Sequence, residues 1–420
     1  MRRAPVLVTL LLVISVITGC SADRRSSPTG DTAGSGPITF ATGKDTTRYL
    51  QPLLDSWNAT HPGQEVTLIE LPEAADEQRA QLVANLQAQS DRYDVLGLDV
   101  MWTAEFAEAG WVIPLSPAAF PLDRFLAPVT GTAMYRGKLY AVPYTSNTGL
   151  LYYRSDILAA EGAKPPRTWA ELRRLARELA GRHRVGGYAG QFLPYEGLTV
   201  NFTEAVQSAG GEILSRDGRT ALLTGAAPGL EFLVQGLREG WIPAESLTYK
   251  EEESRLAFQE GRLLFARNWP PAYGPATRPD SPVAGKVGIA PLPGLTGPGS
   301  GSLGGSNLAV SAFSKRQKSA HEFIRYFTGL ENQRRVLVEG SFPPVWAELY
   351  DDPALIKRFP YLPTLKQSIL SARPRPTSPN YNQISLAIAN SVSAVLNGRG
   401  SVEETLSTLK HELNEILRTP

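Results

Sequence analysis

The chain of 420 residues contains one cysteine, Cys20, and four histidines, His61, His183, His321 and His411, scattered along its length. A single cysteine excludes a disulfide framework, so the folded part must be held by its core. The histidines show no metal-ligand spacing, and no G-x-S-x-G elbow or Ser-His-Asp signature accompanies them. No Walker A run is present. Neither sign of charge dominates: 42 Lys and Arg stand against 41 Asp and Glu, a formal net charge of +1. That balance gives no support to a nucleic-acid or polyanion partner. Past residue 17 no apolar run is long enough to span a bilayer. No internal repeat is visible.

What is present begins with a processing signal over 1–20. Arg2 and Arg3 form a basic start, and Val6 to Ile17 is an apolar run too short for a membrane span. Removing the two arginines takes the charge to −1. The run ends in Ile17-Thr18-Gly19-Cys20, which resembles a bacterial lipobox with Cys20 as the lipidated residue. The alternative is a secretory signal with an incidental cysteine. Residues 21–36 are rich in Ser, Gly, Thr, Asp and Pro and read as a flexible tether. An extracytoplasmic protein anchored to the membrane by lipid follows as an expectation.

The mature chain is too long for one typical core, so two lobes are expected. Ile38 to Thr42, Val66 to Leu71 and Tyr93 to Leu98 read as strands. Helical spacing of Tyr49, Leu50, Leu53, Leu54 and Trp57, then of Leu82, Val83 and Leu86, places helices between them. Strand–helix–strand–helix–strand predicts a parallel α/β sheet whose ligand sits beyond the carboxyl ends of strands. That rule points at Lys44-Asp45 and at Asp99 through Trp102. The run Leu139 to Leu158 reads as strand, a polar break at Thr145 to Gly149, and strand again. It is either a crossover between lobes or an ordinary strand–loop–strand. Thr168 with Glu171 forms a capping-box pattern before a helix to Ala180, and Tyr195-Glu196-Gly197 reads as a turn before another.

Seven stretches, in order, carry a resemblance. They are Gly43-Lys44-Asp45, the run from Tyr93 to Leu115, NTGLLYYRSDIL, YEGLTVNF, SRLAFQEGRLLFARNWP, GGSNLAVSAFSKRQKSAHEFIRYF and ARPRPTSPNYNQIS. The chain resembles extracellular sugar-binding proteins of ABC importers, in the maltose- and trehalose-binding group, and Tyr93 to Leu115 looks most like actinobacterial trehalose-binding lipoproteins. The resemblance implies two α/β lobes of the periplasmic-binding-protein type, joined by a hinge and holding ligand in the cleft. It implies lobe 1 over 37–143 and 303–344, and lobe 2 over 144–302 and 345–420. Crossings are placed near Tyr144–Thr148, Leu303–Gly305 and Pro343–Val345. A monomer is implied, with a disaccharide as ligand, permease subunits as partners and no cofactor.

A sugar needs acceptors and donors for its hydroxyls and a flat apolar face for its ring. Asp45 and Asp99 suit the acceptor role, or else cap the helices that follow them. Lys44 is a donor to the sugar or a solvated cation. Trp269 follows a strand and precedes Pro270, which favours a ring platform over core packing. Trp102 is expected under the first helix. Gly304 and Gly305 would let backbone N–H groups approach a ligand. Tyr195 and Glu196 are second-lobe contacts, with a helix-cap reading open for Glu196. From the resemblance, Asn147 stands where related binders often carry a carboxylate, and Arg375, or Arg373 beside it, is the sugar-contacting arginine. A glycoside-active enzyme using two cleft carboxylates is the alternative function.

Overall fold

The computed structural model describes residues 34–215 and 217–418. The signal stretch, Cys20 and the tether as far as residue 33 lie outside the described residues. In chain order the principal strands are β1 (Ile38–Gly43), β2 (Val66–Leu71), β3 (Val95–Asp99), β4 (Val142–Thr148) and β5 (Leu150–Arg154). After them come β6 (Gly186–Ala189), β7 (Leu263–Asn268), β8 (Val287–Pro291) and β9 (Leu303–Val310). They form two sheets, ordered β2-β1-β3-β9-β4 and β8-β5-β7-β6.

The first sheet begins as its sequence pattern predicts. β1 runs parallel to β2 and to β3, because helices Leu50–Thr60 and Ala75–Gln87 supply the crossovers. Leu50, Leu53, Leu54 and Trp57 are buried as the helical spacing requires. Phe40 packs between Phe323 and Phe327, ring centroids 5.8 and 5.7 Å away. These come from helix Gln317–Phe327, so the sheet is covered from late in the chain. Each such ring contributes roughly 1.5–3 kcal/mol of burial.

The sheet is mixed rather than wholly parallel. β9 enters beside β3 antiparallel, with Ser306 opposite Asp99, and also pairs antiparallel with β4. The polar stretch Thr145 to Thr148, which reads as a break in sequence, is strand. Its Leu303↔Thr148, Gly304↔Asn147 and Gly305↔Ser146 pairings satisfy the backbone. Thr145, Ser146 and Thr148 are buried, so their polarity does not mark a loop.

The second sheet is built around β5 and β7, which pair antiparallel. Leu151, Leu264 and Phe265 face Leu175, Phe202, Leu230, Ile388 and Leu413 in one core. Helix Trp169–His183 carries the expected capping box: Thr168 Oγ1 accepts from Glu171 N at 3.2 Å and Glu171 Oε2 accepts from Thr168 N at 3.2 Å. Tyr195 precedes helix Glu196–Ser208, so Glu196 and Gly197 are its first turn rather than a separate turn.

β4 passes through Gly149 straight into β5, from one sheet to the other. A Cβ at Gly149 would lie 2.1 Å from Glu204 Oε1, so only glycine fits this crossover. Ser146 N donates to Pro343 O at 3.0 Å, which brings a third stretch alongside. Helix Leu362–Ser371 touches both β4 and β8, so the region after Val345 straddles the two sheets. We propose that Tyr144–Thr148, Leu303–Gly305 and Pro343–Val345 are the hinge crossings, with the lobe ranges drawn accordingly.

Candidate functional site

A cavity of about 760 Å³ opens between the two sheets. Lys44, Asp45, Asp99, Asn147, Tyr195, Glu196, Trp269, Gly304, Gly305 and Arg375 all line it. They arrive from separate elements: the loop after β1, the end of β3, β4, the start of helix Glu196–Ser208, the residue after β7, β9, and a strap after helix Leu362–Ser371. Strand ends and one helix N-terminus converge, as expected for an α/β ligand site.

Arg375 is the centre of this arrangement. Its Nη2 donates to Asp99 Oδ1 at 2.6 Å and its Nη1 to Glu196 Oε1. Glu196 Oε1 also accepts from Tyr381 Oη at 2.5 Å, and Oε2 accepts from Ser385 Oγ. Burial, with the neighbouring Asp99 carboxylate adding to it, pushes the Glu196 carboxyl above its ordinary value against the pull of Arg375. The flanking carboxylates hold Arg375 charged despite its burial. Arg375 Nε is buried without a partner among the described residues, and so is Asn147 Oδ1. Both are unpartnered polar atoms on residues that line the cavity.

Arg373 goes elsewhere. It donates to Gly211 O and Glu212 Oε1, each at 2.9 Å, and does not line the cavity. The strap is fixed by this pair and by Leu303 N donating to Arg373 O at 2.9 Å. One residue in the Arg-Pro-Arg-Pro run thus fastens the strap to β9 and the other points its guanidinium at the carboxylates.

Asp45 departs from the acceptor expectation. Its Oδ1 accepts from Thr47 N at 3.1 Å and Thr47 Oγ1 at 3.2 Å, and its Oδ2 from Leu50 N at 2.7 Å. The carboxylate organises the start of the first helix. Asp99 accepts from Met101 N at 2.9 Å and from Arg375, so it both turns the chain and meets the cavity. Lys44 is exposed at the wall. Tyr195 is buried, its hydroxyl donating to Glu251 Oε2 at 2.6 Å.

Trp269 is half-buried, with the Arg267 guanidinium 3.9 Å from its ring centroid. A Cβ on Gly304 would lie 2.3 Å from Asn147 Oδ1 and 3.0 Å from Trp269 Cζ3, so Gly304 lets the indole and the amide approach. Gly305 is glycine for another reason: its φ is +123° and a Cβ would strike Thr145 O at 2.2 Å. Both glycines answer to neighbouring protein groups, where the sequence pointed to a ligand. Trp102 lines the cavity and stacks on Phe106, centroids 6.3 Å apart, within the same core cluster as Leu53 and Trp57 of the first helix.

Residues 43–334 match the family of bacterial extracellular solute-binding proteins. The chain belongs to that family. Among relatives, a probable ABC transporter-binding protein of Deinococcus radiodurans is 36% identical over 376 residues, spanning 86% of this chain and 89% of the relative. A mannitol-binding protein of Pseudomonas aeruginosa is 26% identical over 398 residues, with 85% and 87% covered. A maltose-bound structure of T. maritima MalE3 superposes with a TM-score of 0.86 at 32% identity, covering 90% of this chain and 99% of that one. The two-lobed α/β architecture is therefore the periplasmic-binding-protein fold, and this solute-binding protein is a receptor, not an enzyme.

The receptor's cleft has residues that carry no sequence motif. Glu73, Glu77 and Gln78 come from one wall, and Lys250, Glu251 and Arg255 from the other. Lys250 Nζ lies 3.8 Å from Glu77 Oε1, and Glu196 N donates to Asp76 Oδ2 at 3.4 Å, so the walls touch at several points. Burial first, then the nearby Glu252, raises the Glu73 carboxyl. Glu251, Glu252 and Glu253 form the first turn of helix Glu251–Gln259, and nothing in their sequence marks a cleft.

Proposed function

We propose that the ligand is a glucose-containing disaccharide such as trehalose or maltose. The chain is an extracellular solute-binding protein that delivers a sugar to an ABC importer. The observation that carries the finer reading is one cavity in which carboxylate, guanidinium and amide groups stand around a half-buried indole. Asp99 accepts from sugar hydroxyls, Arg375 donates to them, Asn147 Oδ1 takes a further hydroxyl proton, and Trp269 covers a ring face. Lys44 on one wall, and Tyr195 and Glu196 on the other, line the same cavity. The maltose in the T. maritima relative supports a disaccharide, and mannitol in the name of the P. aeruginosa relative makes a polyol the control.

We further propose that the protein is a monomer and, on the strength of Ile17-Thr18-Gly19-Cys20, that it is anchored by lipid on Cys20. Cys20→Ala should leave the membrane fraction, and normal retention would remove the anchor from the account. No helix among the described residues is long and apolar enough to cross a membrane. Lobe closure on the sugar would then present the loaded receptor to permease subunits.

A thermal-shift panel of trehalose, maltose, mannitol and glucose tests the ligand class. A bound sugar at 100 times its dissociation constant stabilises the fold by about 2.7 kcal/mol. The disaccharides are expected to give the largest shifts. A larger shift with mannitol would replace the disaccharide reading by a polyol one.

A further inference from the structure

Beneath Trp269 lies a buried polar assembly that no part of ligand contact uses. Arg267 is 1% exposed and among the largest fully buried side chains. Its Nε donates to Glu204 Oε2 at 2.7 Å, its Nη2 to Glu204 Oε1 at 2.7 Å, and its Nη1 to Gln191 Oε1 at 3.0 Å. The fork of the guanidinium is thereby fixed in one plane. Its carbon Cζ sits over the Trp269 ring at 3.9 Å from the centroid. A buried ion pair is expensive to desolvate and gives little net stability compared with apolar residues of the same volume. Its retention here calls for a positional reason.

The surrounding contacts supply one. Glu204 Oε1 also accepts from Ser302 N at 3.0 Å, one residue before β9. Gly149, between β4 and β5, packs so closely that a Cβ would lie 2.8 Å from Arg267 Nη2. Two of the proposed hinge crossings therefore rest on the pair. On the other side Asn268 Oδ1 accepts from Trp269 N at 2.7 Å, and Tyr152 Oη donates to Trp269 O at 2.8 Å, which fixes the backbone of Trp269. With the main chain held by those bonds, the indole plane is set by the guanidinium on one face and Gly304 at one edge.

We infer that Arg267, oriented by Glu204, is a positioning residue that holds the Trp269 indole at the angle and depth required of a sugar platform. This rests on the reading of Trp269 as that platform. Cation–π attraction to a desolvated arginine restrains the ring, and the bidentate carboxylate restrains the arginine. A lysine at 267 keeps a charge for Glu204 but loses the flat, stacked surface.

The test is a cycle of Arg267→Lys and Trp269→Ala, alone and together, titrated with maltose and trehalose. Near-ultraviolet circular dichroism is recorded on each ligand-free protein. The pair Glu204→Leu with Arg267→Met, which leaves no unpaired buried charge, serves if the lysine variant does not fold. Arg267→Lys is expected to remove most of the dichroism that Trp269→Ala removes and to weaken the sugar by roughly tenfold. In the Trp269→Ala background the same change should alter affinity by less than about twofold. Additive losses, or wild-type dichroism and affinity in Arg267→Lys, overturn the inference and leave the platform standing. Wild-type affinity in Trp269→Ala sinks the platform and the inference together.

Discussion

Arg375 and Asp99 meet across the cleft, Nη2 to Oδ1 at 2.6 Å, and so join the strap to the end of β3. The same guanidinium holds the buried Glu196 of the other wall. Removing Arg375 leaves that carboxylate buried without its cation, which costs about 3–5 kcal/mol. Arg375→Met is therefore expected to lose both sugar affinity and ligand-free stability in urea melts. Unchanged stability would mean that Glu196 does not depend on this partner.

Glu196 gives the stability a pH signature. Burial raises its carboxyl above the unfolded value, so the folded state takes up the proton first. That contribution is full below the ordinary glutamate value of about 4.3 and is lost as pH rises through the higher folded value. Relative to Glu196→Gln, the wild type should lose stability as pH climbs from that value toward neutrality. A difference in melting temperature that stays flat, or grows in favour of the wild type, contradicts this assignment.

Gly304 and Gly305 are adjacent and should fail in different ways. Alanine at 304 pushes on Asn147 and on the Trp269 ring, so Gly304→Ala is expected to weaken the sugar by at least about tenfold. Alanine at 305 meets backbone at a φ of +123°, so Gly305→Ala is expected to cost about 1–3 kcal/mol of stability. Calorimetry and thermal melting on both variants check the contrast, and an equal loss of affinity and stability in each would erase it.

Asp45 separates a cap from a ligand contact. With both oxygens taken by Thr47 and Leu50, Asp45→Ala should cost about 1 kcal/mol of stability and leave the sugar bound within about threefold. A tenfold loss of affinity at unchanged melting temperature would return Asp45 to the contact set.

Much of this was readable where periodicity and strand ends speak. The crossovers around Leu50–Thr60, the capping box at Thr168, and the placing of Asp99 and Trp269 just where strands stop follow from local chemistry. The polar half of β4 was hidden because a strand between two sheets buries Thr145, Ser146 and Thr148 in place of an apolar face. β9 was only half visible, since an antiparallel strand inserted from late in the chain leaves no trace near β3. The helix Leu330–Gly340 carries no strong cap. Which of Arg373 and Arg375 faces the cleft turns on one residue of register in the strap, set by Glu212 and β9 at long range. Arg267 stands in sequence only as the residue at which a strand ends; its side-chain partners Glu204 and Gln191 come from two distant segments, and Glu204 in turn holds Ser302.

The central claim is that the cleft binds a disaccharide through Asp99 and its neighbours, and isothermal titration of Asp99→Asn beside the wild type with trehalose and maltose tests it most directly. Asn keeps the turn at Met101 but takes one of two carboxylates from the buried Arg375, so ligand-free melting should fall as well and affinity is read on the folded protein at a temperature below its melt. Loss of a charged hydrogen-bond partner costs roughly 1.5–3 kcal/mol, so affinity is expected to fall about ten- to a hundredfold. No binding heat from either sugar in the wild type, or affinity within about twofold in the variant, would contradict it.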